Sequence, residues 1–230
     1  MRKKVKNTID DGFNSELVET AFFDGILEIP VIRKPKEIII PDKVIPYSQI
    51  RKTNKHEEFV VFYEYDVNFG EILQNPDECF EKIKEFPGMV SLDNSLYLDS
   101  PLTAQIANVY RSRAIAHYYQ EKGYYVIPNV RWGDERSYTT DFLPEKFAFL
   151  GLPKHSIVSI GTYGCTNSAE EKLQLRKGLI AMLDELEPEV VLVYGSMSKS
   201  VFEGLYDRTQ FVYYPDWTSS KRGGSKDGNK

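Results

Sequence analysis

The densest run of chemically capable side chains lies between Asn129 and Asp134, where Asn129, Arg131, Trp132 and Asp134 fall within six residues. A guanidinium beside an indole can stack on a flat ligand or hold an anion, and a nearby carboxylate can serve as acid, base or metal ligand. Asp93, followed by Asn94 and Ser95, offers a second such point. We take Asp93 and Asp134 as the catalytic candidates. Asp66, Asp93 and Asp134 would together suit a hard cation such as magnesium if the fold unites them.

Two glycine- and hydroxyl-rich segments point to an anion. Residues 161–168 (GTYGCTNS) and 195–200 (GSMSKS) each precede a helical pattern, and backbone amides at such a place favour a phosphate or carboxylate. Thr162, Gly164, Gly195 and Ser196 are therefore ligand-binding candidates, beside Asn129, Arg131 and Trp132. Neither segment matches a dinucleotide fingerprint or a P-loop. Gly195-Ser196 followed by Asp207 imitates a nucleotidyltransferase signature, but Thr209 stands where the second metal carboxylate belongs, so that chemistry is rejected.

Arg113 is the last candidate. At about 100° per residue, Leu102, Ile106, Val109 and Ala116 share one stripe of a helix over 101–122, and Arg113 falls within it. A guanidinium on an apolar stripe calls for a carboxylate or a ligand anion, and Asp93 is the nearest expected partner.

The elements that would carry these residues alternate. Short apolar runs predict strands over 44–49, 59–65, 89–92, 124–130, 157–161, 190–194 and 210–214. Amphipathic runs predict helices over 69–86 (interrupted at Pro76), 101–122, 135–150, 169–187 and 200–205, with a capping box at Ser168 and Glu171. Alternation of this kind argues for parallel βαβ units. The fold class is α/β, an incomplete or distorted (β/α) barrel resembling a TIM barrel, with an open doubly wound sheet as the alternative. Residues 50–58 are too few for a helical crossover, so the first two strands are expected as an antiparallel hairpin. Either architecture puts the ligand beyond the C-terminal ends of the strands, where Asp66, Asp93, Arg131, Thr162 and Gly195 all fall. Turns favour Asp, Asn, Ser and Gly for backbone reasons alone, which leaves the 129–134 cluster as the one that exceeds a turn's needs.

Composition excludes several classes. Of 230 residues, 41% are hydrophobic and 27% charged, which is enough apolar material for a folded core. Removing the +4 of residues 1–6 and the +3 of residues 221–230 from the net −5 leaves −12 on the body, a poor match to a phosphate backbone. Nucleic-acid contact, if any, falls to the basic ends. We expect a basic arm over 1–13, a single domain over 14–217 and a disordered basic tail over 218–230. Cys79 and Cys165 have no companions at disulfide or zinc spacing, and the three histidines have no metal-like partners. No apolar run is long enough to span a membrane and the N-terminus lacks a signal peptide's apolar stretch, so a cytoplasmic protein is expected.

Several stretches are familiar. They are 14–32 (NSELVETAFFDGILEIPVI), 92–138 (especially LDNSLYLDSPLTAQIANVYRSRAIAHYYQ and GYYVIPNVRWGDERSY), 157–164 and 191–195. Together they resemble the domain-of-unknown-function family 4417, found in bacteria, phages and mobile elements. The resemblance implies a phage or mobile-element setting and brings no activity, cofactor or catalytic residue. From the residues, two expectations stand side by side. One is a small anionic or nucleotide-like ligand bound at the strand rim, turned over or merely held. The other is an accessory protein of replication or host takeover, working through protein and nucleic-acid contacts.

Overall fold

The computed structural model describes residues 14–54 and 56–223; the arm expected over 1–13 and the stretch 224–230 of the expected tail lie outside the described residues. The chain first forms an antiparallel hairpin, β1 (Phe23–Asp24) with β2 (Ile29–Pro30). Next, β3 (Val44–Pro46), β4 (Phe59–Val61), β5 (Met89–Val90) and β6 (Val126–Ile127) lie side by side in chain order, all parallel. A second parallel sheet follows in the same manner: β7 (Ile157–Gly161), β8 (Val190–Tyr194) and β9 (Gln210–Tyr214). One parallel bridge, Asn129 to Ser159, joins the end of β6 to β7.

Between the strands run α1 (Glu71–Gln74), α2 (Pro76–Ile83), α3 (Leu102–Glu121), α4 (Glu135–Tyr138), α5 (Ala169–Leu186) and α6 (Lys199–Phe202). A last helix, α7 (Trp217–Gly223), crosses the boundary drawn at 217/218 between domain and tail. The architecture is thus mixed α/β with parallel sheets. No pairing between β3 and β9 closes the row among the described residues, so the barrel expected from the sequence is not shown as a closed one.

Alternation along each strand builds two apolar layers. Val60, Phe62, Met89, Val126, Val158, Ile160, Val191 and Val193 join the main core with the helices, whose contribution includes Ile83, Ile115 and Leu179. Their neighbours of opposite parity (Phe59, Val61, Val90, Ile127, Ile157, Val190 and Leu192) pack together in a second cluster, with Tyr214 from β9 and Val44 from β3 at its side. Successive strand side chains point to opposite faces, so one run of Val and Ile supplies both layers.

Two expectations are corrected here. The first two parallel-type strands are not a hairpin: Val44 to Pro46 register in parallel with Phe59 to Val61. The crossover is made by a 3₁₀ turn, Tyr47–Lys52, which takes up its length in fewer residues than an α-helix would. The helix expected over 135–150 ends at Tyr138, and the chain from 139 to 150 is irregular. The apolar residues that suggested a longer helix, such as Phe147, instead pack with Ile29, Leu96 and Val109 in a third cluster between α3 and the hairpin.

Candidate functional site

A cavity of about 600 Å³ opens at the C-terminal rim of the parallel strands. Tyr63 and Glu64 enter it after β4, Asp93 and Ser95 after β5, Arg131 and Trp132 after β6, and Tyr163 and Cys165 after β7. Tyr194 closes it from the end of β8, and Trp217 from the start of α7.

At its floor lies a chain of polar contacts between strands. Asn129 Nδ2 donates to Asp93 Oδ1 at 2.8 Å, and Asn129 Oδ1 accepts from the Tyr63 hydroxyl at 3.0 Å. That hydroxyl also lies 2.5 Å from Ser159 Oγ, and the Asn129 backbone N–H donates to Ser91 Oγ at 2.8 Å. Asn129, Ser159 and Ser91 are buried outright, so these bonds satisfy groups that water does not reach. The Tyr63 ring stacks on Tyr194, with centroids 4.9 Å apart and planes at 17°. Gly161 permits that placement, since a Cβ there would sit 2.5 Å from the Tyr63 ring.

Arg131 Nη1 lies 3.7 Å from Asp93 Oδ2, an ion pair too long to count as a hydrogen bond. Its Nε is buried without an acceptor. Burial pushes the Asp93 carboxyl above the usual carboxylate range, opposed by Arg131 and the Asn129 bond and assisted by the charge of Asp66. The charge of Asp93 holds Arg131 higher than an ordinary guanidinium, despite burial. Burial, with the Asp93 charge, keeps the Tyr63 phenol protonated.

The other carboxylates of the wall are engaged elsewhere. Glu64 accepts from the Ser48 backbone N–H at 3.0 Å and from the Ser48 hydroxyl. Glu171 accepts from the N–H groups of Asn167 and Ser168 at 2.7 and 3.3 Å, as its half of the capping box. Asp216 accepts from the N–H groups of Thr218 and Ser219, each at 3.0 Å. Tyr65, Tyr97 and Tyr163 stand largely exposed around the mouth.

Of the residues chosen from sequence, Asp93, Arg131, Trp132 and Gly164 line this cavity, and Asn129 stands directly behind Asp93. The rest lie elsewhere. Asp134 caps α4, accepting from Arg136 N–H at 3.1 Å and pairing with the Arg136 guanidinium at 2.8 Å. Arg113 is buried, and its fork donates to three backbone carbonyls: Leu150 at 3.2 Å through Nε, Asn129 at 3.0 Å through Nη1 and Ala148 at 3.1 Å through Nη2. The carboxylate or anion that its stripe position called for is replaced by three backbone carbonyls, one at the end of β6 and two in the irregular segment after α4. Burial pushes Arg113 down to about 9, which still leaves it charged at neutral pH.

Thr162 is buried and donates to the Ser196 carbonyl at 2.8 Å, holding the two hydroxyl-rich loops to each other. Gly195, at φ 113°, makes room for that contact, as a Cβ would meet Thr162 Oγ1 at 2.7 Å. Asp66 gives both oxygens to Ser95, at 3.1 and 2.7 Å. Among the described residues no three His, Cys, Asp or Glu side chains gather as a metal site, so the fold does not unite Asp66, Asp93 and Asp134 around one cation.

Tyr63 and Tyr194 line the cavity, although neither is among the residues chosen from sequence. Parity is the signal that finds them: each continues the inner alternation, after Phe59 and Val61 or after Val190 and Leu192, to the strand's C-terminal end.

Comparison with known proteins agrees with the resemblance seen in the sequence. The family described as Domain of unknown function (DUF4417) matches residues 21–215. The "Gene 1 protein" of Mycobacterium phage L5 is 30% identical over 136 residues, covering 59% of this chain and 56% of the relative. The "Gene 1 protein" of Mycobacterium phage D29 is 29% identical over 136 residues, covering 59% of this chain and 48% of the relative. The chain therefore spans about half the length of these curated relatives. No solved structure matches. No helix of the described residues is long and apolar enough to cross a membrane.

Proposed function

The chain belongs to the family described as Domain of unknown function (DUF4417), and from that premise we propose that this member binds a small polar ligand of nucleotide-like size in the rim cavity. One observation carries the reading: Asp93 and Arg131 meet at 3.7 Å on the floor of a cavity walled by aromatic rings. A few convergent polar groups in an otherwise apolar cleft of roughly 300–1,000 Å³ are what small-molecule sites share. Between two strand ends, a polar chain from Ser159 through Tyr63 and Asn129 holds Asp93 in place, so the pair is preorganised.

We read the seven parallel strands as an incomplete barrel. The inner cluster that draws residues from β4 through β9, with Val44 of β3 packed on it, supports that reading. The cavity then occupies the end at which such folds bind ligands. The setting we assign is the cytoplasm of a phage-bearing host, which suits Cys79 and Cys165 as free thiols. If the ligand is turned over, Asp93 is the acid, because burial lets it keep its proton to higher pH than an exposed carboxyl.

A thermal-shift screen of small metabolites, with and without magnesium, tests the reading. A ligand present at 100 times its Kd stabilises the native state by about 2.7 kcal/mol. We expect at least one such ligand, with its effect lost in both Asp93→Asn and Arg131→Ala. Stabilisation that persists unchanged in both variants puts the ligand elsewhere and overturns the assignment.

A further inference from the structure

We propose that the rim cavity selects an uncharged nitrogen heterocycle, a nucleobase or nucleoside, whose donor–acceptor edge meets Asp93 and Arg131, and that it discriminates against phosphate. The proposal rests on the rim cavity being a ligand site and adds the class of ligand.

The groups that would hold a phosphate are already engaged. Thr162, Gly195 and Ser196 bond or pack with one another and do not line the cavity. The first turn of α5 carries Glu170 and Glu171, and the Glu171 carboxylate itself fills the amide nest at Asn167 and Ser168. An anion arriving at that helix start would find a resident negative charge. Glu64 and Asp216 add two further carboxylates to the wall, and Arg131, the one guanidinium among the described lining residues, is already ion-paired with Asp93. A phosphate dianion would be repelled by the carboxylates of Glu64, Glu171 and Asp216 and would compete with Asp93 for the charge of Arg131.

What the floor offers instead is a neutral match. Among the described residues Asp93 Oδ2 makes the long contact to Arg131 and accepts no hydrogen bond, and the Arg131 Nε–H has no acceptor. A carboxylate beside a guanidinium presents an acceptor next to donors, which complements the N–H and C=O groups on the edge of a purine or pyrimidine. Tyr163, exposed at the mouth, gives that ring a flat partner, with the edges of Trp132 and Tyr194 at the wall, and stacking accepts any base.

The assay uses the protein's own fluorophores, because both tryptophans of the chain, Trp132 and Trp217, line the cavity. The unmodified protein is titrated with purine and pyrimidine nucleosides, their 5′-monophosphates, inorganic phosphate and a monosaccharide, following tryptophan emission. The expected result is saturable quenching by at least one nucleoside, with the monophosphate at least about tenfold weaker, or about 1.4 kcal/mol. Arg131→Gln is expected to abolish the quenching, while thermal unfolding checks that the variant is folded. If a monophosphate or inorganic phosphate binds as tightly as the nucleoside, or if only the sugar binds, the cavity remains a ligand site and the heterocycle inference is overturned. If none of these probes alters emission, the heterocycle inference is likewise overturned, and the metabolite screen alone then judges the cavity.

Discussion

Replacing Arg113 by Ala should cost stability because of what its guanidinium holds together. Its three nitrogens donate to carbonyls on two separate pieces of chain, Ala148 and Leu150 on the irregular segment and Asn129 at the end of β6. A hydrogen bond from a charged donor contributes about 1.5–3 kcal/mol, so three would give about 4.5–9 kcal/mol. Two effects reduce that figure. Removing the residue also removes the cost of burying its charge, visible in its depressed pKa of about 9, and the carbonyls regain some solvation by relaxing. The net loss we expect is about 3–5 kcal/mol, or a fall in Tm of about 6–20 °C for a chain of this size. Urea unfolding measures the loss, and hydrogen exchange should show deprotection concentrated at residues 148–150. Arg113→Lys should recover only part of it, since a single ammonium cannot reach three carbonyls set around a planar fork. A loss below about 1 kcal/mol in Arg113→Ala, or full recovery in Arg113→Lys, would refute this account of the segment.

Two further outcomes follow from the floor and wall of the cavity. Because the Asp93 carboxyl keeps its proton to higher pH when folded than when unfolded, folding takes up a proton between the ordinary value of about 3.9 and the raised one, and stability falls as pH rises through that interval. The stability of Asp93→Asn relative to the unmodified protein should therefore increase with pH across that window in urea titrations; a flat or opposite difference would contradict the burial of Asp93. Gly178 faces Trp132, where a Cβ would lie 2.1 Å from the indole Nε1, so Gly178→Ala should displace the indole, shift the emission and cost about 1–3 kcal/mol by overpacking. Unchanged emission together with unchanged Tm would mean that Trp132 does not pack on α5.

Strand periodicity made much of the fold legible. The three late strands begin and end where their apolar runs do, and the four earlier ones appear at their expected positions with shorter pairing. The capping box at Ser168 and Glu171 forms as its spacing requires, because its two bonds span only three residues. Errors arose where a local pattern had two solutions. The segment 139–150 has helical spacing, yet its apolar side chains find partners on α3 and the hairpin, and tertiary burial outweighs helix propensity. The link between the first two parallel strands was too short for an α-helix but not for a 3₁₀ turn.

By itself the sequence determined the alternation that builds two apolar layers, the strand ends at which Asp93, Arg131 and Trp132 fall, and the net negative charge of the body. Only the tertiary structure decided which rim residues face the cavity. Asp93 and Asp134 both follow strands, and Arg113 and Arg131 both looked ready to hold an anion. One member of each pair is consumed by a helix cap or by backbone carbonyls, and the other meets its counterpart on the cavity floor. The physical reason is that a buried or half-buried charge takes the nearest group able to satisfy it. Those groups, such as the Ala148 carbonyl 35 residues from Arg113, become neighbours only when the chain has folded.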